Sequence, residues 1–185
     1  MIQKKPAVFI GRDGILNKAP AMGKYAPEAL RSARLIEESY GPLELIRPAG
    51  FKLIVIVSQP QITTGELMTK DLQVLHQRIR ERFRFITDIF CCPHAEEDRC
   101  PCRPPNPGLL KEAGHKWTLD LDQSFFVSPR LQDAAAARAA GCTPILLSSP
   151  LNGKYAAKSG FSIVPNIQAA VSTIFKIRDQ FACHI

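Results

Sequence analysis

The 185-residue sequence predicts an α/β fold: a three-layer sandwich with a central, mostly parallel sheet and helices on both faces. Three observations carry this expectation. Short apolar runs alternate with segments of helical periodicity along the chain. The run Leu53–Val57 is apolar without a break, as in a central strand buried on both sides. The segments between strands are long enough for helical crossovers, which are right-handed and leave consecutive strands parallel. The length suits one domain spanning residues 1–185.

The elements follow in order. Ala7–Ile10 is a short strand ending in the turn Gly11-Arg12-Asp13-Gly14. Residues 38–47 suit a short helix, with Pro42 in its first turn and Leu43, Leu45 and Ile46 available for the core; Pro48 and Gly50 stop it. Phe51 and Leu53–Val57 form the next strand. Thr69 is positioned to cap a helix reaching about Arg84, with Leu72, Leu75, Ile79 and Phe83 on its buried stripe. Ile86–Cys91 reads as a strand, and residues 92–107 as a Cys/Pro-rich loop. Gly108–Lys116 is a helix, Phe125–Ser128 a strand, and Leu131–Ala140 an Ala-rich helix ending at Gly141. Thr143–Leu147 and Ser162–Val164 are strands, and Ile167–Arg178 a last helix. Ligands of such sheets bind beyond the carboxyl ends of the strands, so the loops after Ile10, Val57 and Val127 should share one crevice.

Composition narrows the function classes. No window approaches the run of roughly 18 apolar residues that a membrane span needs. Met1-Ile2-Gln3-Lys4-Lys5-Pro6 leads straight into a strand-like segment without a signal-peptide pattern, so a cytoplasmic location is expected, with no membrane contact. The net charge of +7 is compatible with a polyanionic partner. Yet its densest cluster, Arg78, Arg80, Arg82 and Arg84, reads as a solvated helix face without aromatic stacking partners, which argues against nucleic acid.

Four of the six cysteines fall between Cys91 and Cys102. Cys92-Pro93-His94 and Cys100-Pro101-Cys102 offer four soft donors within eleven positions, the ligand set of a closed, structural Zn²⁺ site. Cys91 should face the opposite side of its strand and join the core. Cys142 and Cys183 lack nearby partners and read as inert thiols, and His184 as a solvated side chain.

Val8-Phe9-Ile10-Gly11-Arg12-Asp13-Gly14 resembles the first motif of the haloacid dehalogenase (HAD) superfamily, an apolar strand followed by Asp-x-Asp-Gly. The Cys-x-His and Cys-x-Cys loop, followed by Arg103 and by Asn106-Pro107-Gly108, is similar to the heptose bisphosphate and histidinol-phosphate phosphatase branch. The likeness runs in order from about residue 7 to 178. It implies a HAD-like Rossmannoid fold with a zinc-binding loop at about 92–107.

The same resemblance exposes departures. Gly11 stands where the family has its nucleophilic, Mg²⁺-binding aspartate, while Asp13 matches the general acid/base. Val57-Ser58-Gln59 stands where a Thr or Ser is followed by Asn-Gln, so the motif hydroxyl is missing at Val57. Cys102-Arg103-Pro104-Pro105 keeps the arginine of Cys-Arg-Lys-Pro and loses the lysine. Ser128-Pro129-Arg130-Leu131-Gln132-Asp133 keeps only the last aspartate of Gly-Asp-x-x-x-Asp. Phosphoryl transfer needs an in-line nucleophile and cations on the phosphoryl oxygens, and Mg²⁺ needs carboxylates.

The expectation is therefore a pseudophosphatase with no Mg²⁺ and no intact catalytic set, only the remnants Asp13, Arg103 and Asp133. Arg12, Asp13, Ser58, Gln59, Arg103 and Arg130 are the candidates for binding an anionic ligand. Arg12 and Arg130 are weighed against a solvent-facing role, and Arg103 against a structural pairing with Asp133 or Asp13. A protein partner, an enzyme among the candidates, docking at the crevice mouth through Arg12 and Arg130 is favoured over a small anion, because Pro104 and Pro129 stiffen the rim. The alternatives are residual phosphatase action on a sugar phosphate and a basic nucleic-acid-binding module.

Overall fold

The structure, a computed structural model, describes residues 3–20, 25–149 and 160–182. Cys183 and His184 lie outside the described residues. The strands are β1 (Lys5–Gly11), β2 (Lys52–Ser58), β3 (Ile86–Cys92), β4 (Leu119–Ser128), β5 (Thr143–Leu147) and β6 (Ser162–Val164). They form one six-stranded sheet in the order β3-β2-β1-β4-β5-β6. All five neighbouring pairs are parallel. The helices are α1 (Pro27–Arg31), α2 (Tyr40–Glu44), α3 (Thr69–Arg82), α4 (Gly108–Trp117), α5 (Leu131–Ala140) and α6 (Ile167–Ala182).

Alternating strand residues build two cores. Val8, Ile10, Val55, Val57 and Val127 face one side, where Leu72, Leu75 and Ile79 of α3 and Val171 and Ile174 of α6 pack. Phe9, Ile54, Ile56 and Phe126 face the other, against Leu109 and Ala113 of α4 and Ala136 and Ala137 of α5. These are the three layers that the pattern predicts. The centre of β2 is buried on both faces, Leu53 to Val57 all being at most 5% exposed.

Several local expectations change. The segment 38–47 splits into a 3₁₀ turn at Glu37–Ser39 and the short α2, and Leu45 faces solvent at 49% exposure while Leu43 and Ile46 are buried. Thr69 does not cap α3; it is the first helical residue, Met68 holds the cap position, and no side chain caps it. The helix α1 arises in a stretch that carries no readable apolar period, with Pro27 at its start and only Leu30 fully buried. The strand β4 begins at Leu119, six residues earlier than its apolar run. Its polar first half pairs with β1 across a register shift between Pro6 and Val8. Ser124 takes up that irregularity by accepting the Ala7 N–H at 2.9 Å and donating to the Asp120 carbonyl.

Candidate functional site

The carboxyl ends of β1, β2 and β4 meet, as the topology requires. Gly11 closes β1, Ser58 closes β2 and Ser128 closes β4. Gly11, Asp13, Ser58, Ser128, Arg130 and Asp133 line a small hollow there. A larger cleft of about 1170 Å³ opens beside it, walled by Asp13, Tyr25, Ser58, Arg103 and Arg130 among others.

Gly11 has no side chain, and the space beside it is narrow. A Cβ built there would lie 3.2 Å from Ser128 Oγ and 3.9 Å from Asp133 Oδ2. Those two groups form their own pair: the Ser128 hydroxyl donates to Asp133 Oδ2 at 2.6 Å, and Ser128 Oγ accepts the Arg130 N–H at 3.2 Å. Burial, the largest cause, holds the Asp133 carboxyl above its usual value; the Arg130 charge and the Ser128 hydrogen bond offset this in part, and the Asp13 charge adds to it.

Asp13 is enclosed by its own protein. Oδ1 accepts Arg12 Nε at 3.0 Å and Asn17 Nδ2 at 2.9 Å. Oδ2 accepts an Arg12 terminal nitrogen at 3.0 Å and the Tyr25 hydroxyl at 2.8 Å. Burial raises the carboxyl's pKa, but the Arg12 charge and the hydrogen bonds from Arg12, Tyr25 and Asn17 outweigh it and hold it below its ordinary value. Asp13 is thus a fixed anion with both oxygens engaged.

Arg12 corrects an expectation. Its side chain is 1% exposed, so it neither points to solvent nor reaches the crevice mouth. Besides its two-pronged pairing with Asp13, it donates to Gln59 Oε1 at 3.0 Å and approaches His76 Nε2 at 3.5 Å. Gln59 is also fully buried, donating through Nε2 to Gln61 at 2.8 Å. Arg12 lines only the small hollow, with its guanidinium already engaged, and Gln59 lines neither the hollow nor the cleft. Arg103 pairs with neither Asp13 nor Asp133; it donates to the His94 carbonyl at 3.3 Å, tying the cysteine loop to the cleft wall. Arg130 donates to Gln132 at 3.0 Å at the cleft edge. Of the six binding candidates, Ser58, Arg103 and Arg130 remain on the cleft surface with functional groups that a ligand can reach.

Sequence reasoning missed Asn17, Tyr25, His76 and Ser128. His76 had a signal: it lies four residues after Leu72 and three before Ile79, on the flank of the buried stripe of α3. Burial, then the Arg12 and Arg80 charges, depress its pKa to about 4, so it stands as a neutral ring beside Arg12.

The second centre is the loop after β3. The donor atoms of Cys92, His94, Cys100 and Cys102 all lie within 4.8 Å of one another. Cys92 Sγ is 3.6 Å from His94 Nδ1 and from Cys100 Sγ; Cys102 Sγ is 3.1 Å from His94 Nδ1, 3.2 Å from Cys92 Sγ and 3.3 Å from Cys100 Sγ. A tetrahedral Zn²⁺ sets such edges at roughly 3.5–3.8 Å, and these five donor–donor distances fall within about half an ångström of that range. The four residues could hold a metal ion. The loop is braced around them: Asn106 Nδ2 donates to the Cys100 carbonyl at 2.8 Å and Thr63 Oγ1 to the Pro93 carbonyl at 2.7 Å. Gly108 accepts this closure because a Cβ there would collide with the Pro101 carbonyl. Cys91 turns to the opposite face and packs on the first core, as expected; burial pushes its thiol up to about 11 and that of Cys142 to about 12.

A parallel sheet with its site at the carboxyl ends of β1, β2 and β4, and a four-donor Cys/His loop after β3, is the α/β arrangement that the resemblance to the HAD superfamily implies. Comparison with known proteins sharpens this. The D-glycero-beta-D-manno-heptose-1,7-bisphosphate 7-phosphatase of Helicobacter pylori is 32% identical over 138 residues, covering 70% of this chain and 76% of that protein. The enzyme of the same name from Pseudomonas aeruginosa is 28% identical over 151 residues, covering 77% and 80%. The crystal structure of D,D-heptose 1,7-bisphosphate phosphatase from Bordetella bronchiseptica, complexed with magnesium and phosphate, superposes with a TM-score of 0.79 over 92% of this chain and 98% of that one, at 22% identity. No family model matches the chain. The chain belongs to the HAD superfamily, in its heptose bisphosphate and histidinol-phosphate phosphatase branch.

Among the described residues no helix is long and apolar enough to cross a membrane. The four arginines of the basic cluster are each engaged locally. Arg78 donates to the Arg31 and Ala33 carbonyls, Arg80 to Asp88, Arg82 to Glu37 and Arg84 to the Glu81 carbonyl.

Proposed function

We propose that this chain is a catalytically silent member of its branch that holds an anionic ligand in the cleft at the carboxyl edge of the sheet. One observation carries the reading: at the end of β1, where the family resemblance places the nucleophile, Gly11 offers only backbone, and the adjoining space holds the Ser128–Asp133 pair. The rest of the site agrees. Pro129 stands where the branch has a metal-binding carboxylate and Pro104 where it has a lysine. Asp13, the surviving acid/base, already accepts four hydrogen bonds from Arg12, Asn17 and Tyr25, which leaves its oxygens poorly placed for proton transfer. Mg²⁺ lacks the side-chain carboxylate at Gly11 that would bind it, so the ligand is met by arginine instead of by metal.

Arg103 and Arg130 supply the charge for such a ligand, and Ser58 a hydroxyl. A protein partner docking through Arg12 is disfavoured, because Arg12 is buried. The Cys92, His94, Cys100 and Cys102 loop is assigned a structural Zn²⁺, which shapes the cleft wall through Arg103. The test is phosphate release from D-glycero-D-manno-heptose 1,7-bisphosphate with Mg²⁺ present. No release above background is expected, together with saturable binding of inorganic phosphate that Arg130→Gln weakens. Mg²⁺-dependent release that Asp13→Asn abolishes would overturn the reading.

A further inference from the structure

The cleft is not uniform. It follows the carboxyl edge of the sheet, whose strand order places β2, β1 and β4 at one end and β5 and β6 at the other. Over β2 to β4 it presents Ser58, Gln61, Arg103 and Arg130. Over β5 and β6 the wall changes character, with Leu147 at the end of β5 and Pro165 and Ile167 after β6. Ile36, ahead of α2, and Leu131, at the start of α5, also line it. Among the polar groups at this end, the Asn166 side-chain oxygen is occupied by the Ala169 N–H at 2.9 Å. Ser39, Ser148 and Ser149 also line the cleft with hydroxyls, and the exposed Glu38 places a carboxylate on its wall.

Volume and charge bound the ligand. At about 1170 Å³ the cleft exceeds the roughly 300–1,000 Å³ of pockets that enclose drug-sized ligands, so a bare phosphate or carboxylate would leave most of it empty. A sugar carries hydroxyls on every face, and burying them against Ile36, Leu147 and Ile167 leaves hydrogen bonds unmade. Arg12 adds no further positive charge, since Asp13 neutralises it. Two reachable arginines at one end suit a single anionic group.

We infer that the cleft takes a soluble amphipathic anion, a single phosphate or carboxylate on an alkyl or aryl body, with the anion at Arg103 and Arg130 and the apolar body lying over β5 and β6 toward Ile167. This deepens the anion-holding reading and rests on it. It would set the chain apart from relatives whose names specify a sugar bisphosphate.

The full chain, carrying its metal, is titrated calorimetrically with inorganic phosphate, glucose 6-phosphate and octyl phosphate below its micelle concentration. Octyl phosphate should bind at least ten-fold more tightly than either of the others, since two buried methylene groups already suffice for roughly ten-fold. Ile167→Asn should remove that preference and leave phosphate binding unchanged; Arg130→Gln should weaken all three probes. Should Ile167→Asn unfold, Ile36→Asn at the same wall serves in its place. Glucose 6-phosphate binding as tightly as octyl phosphate would overturn the amphipathic ligand and spare the anion-holding reading. Failure of all three probes to bind would overturn both.

Discussion

The two centres of this protein have the same raw materials, short loops at the ends of parallel strands, and different contents. In the loop after β3 every donor is in place: Cys92, His94, Cys100 and Cys102 converge within 4.8 Å, and Asn106 and Thr63 hold the backbone around them. At the end of β1, Gly11 has no side chain, and neighbouring polar groups have turned toward one another: Arg12 to Asp13 and Gln59, Ser128 to Asp133. If the centre at Gly11 is silent as proposed, the difference illustrates how a buried polar site survives when its chemistry is changed. Desolvated charges must be paired, so an altered catalytic centre either closes on itself or unfolds the domain.

The sharpest way to break the comparison is to remove the metal. A structural Zn²⁺ contributes on the order of 10 kcal/mol to the folding of small zinc domains, so chelation should lower the melting temperature more than any substitution in the cleft. Metal analysis of protein purified without added zinc should find about one equivalent, lost in Cys100→Ser. A metal-free protein of unchanged stability would remove the first half of the contrast.

Arg12 and Arg130 sharpen the second half. Arg12→Ala leaves Asp13 charged and underpartnered, at a cost of about 3–5 kcal/mol in denaturant unfolding. Arg130→Gln should change stability by no more than about 0.5 kcal/mol while weakening anion binding. Equal effects of the two on stability would show that the Arg12–Asp13 pair is not the closed unit described.

His76 adds a pH dependence. Its folded pKa is about 4 and its ordinary value 6.5, so between these the unfolded chain holds a proton that the folded chain does not. Stability is therefore complete above about pH 6.5 and falls as the pH drops toward 4, by about 3 kcal/mol in all. His76→Gln should flatten this decline in urea titrations between pH 6.5 and 5; an unchanged slope would place the proton uptake elsewhere. Asp13, with its lowered pKa, adds a further loss only below its ordinary value of 3.8.

Gly11→Asp has a smaller effect on stability than Arg12→Ala and is the most informative about catalysis. The new Cβ meets Ser128 Oγ at 3.2 Å and the new carboxylate approaches Asp133, which should cost about 1–2 kcal/mol. Phosphatase activity should not return, because Pro104 and Pro129 still stand where the family resemblance places a lysine and a metal ligand.

The legible parts of the molecule were those governed by local periodicity and spacing. The limits of β5, β6 and α5 follow from apolar runs bounded by Gly141 and polar turns, and the metal loop from cysteine spacing alone. The first half of β4 was hidden because Asp120, Asp122 and Gln123 interrupt its apolar run, and its pairing with β1 depends on residues more than a hundred positions away. Arg12 was misjudged for the same reason. An arginine in a turn reads as solvated, and what buries it comes from Gln59 and His76, on β2's following loop and on α3, 47 and 64 residues along the chain. Charge in a sequence is visible; its pairing is a tertiary property.

The central claim, that the closed centre at Gly11 binds and does not turn over, is tested most directly by one measurement. Purified full-length chain at high enzyme concentration is incubated with heptose 1,7-bisphosphate and Mg²⁺, and released phosphate is followed beside the Asp13→Asn variant. The expected result is the same background release from both proteins, with or without Mg²⁺. Mg²⁺-dependent release by the unaltered chain at rates like those of its relatives, abolished in Asp13→Asn, would contradict it.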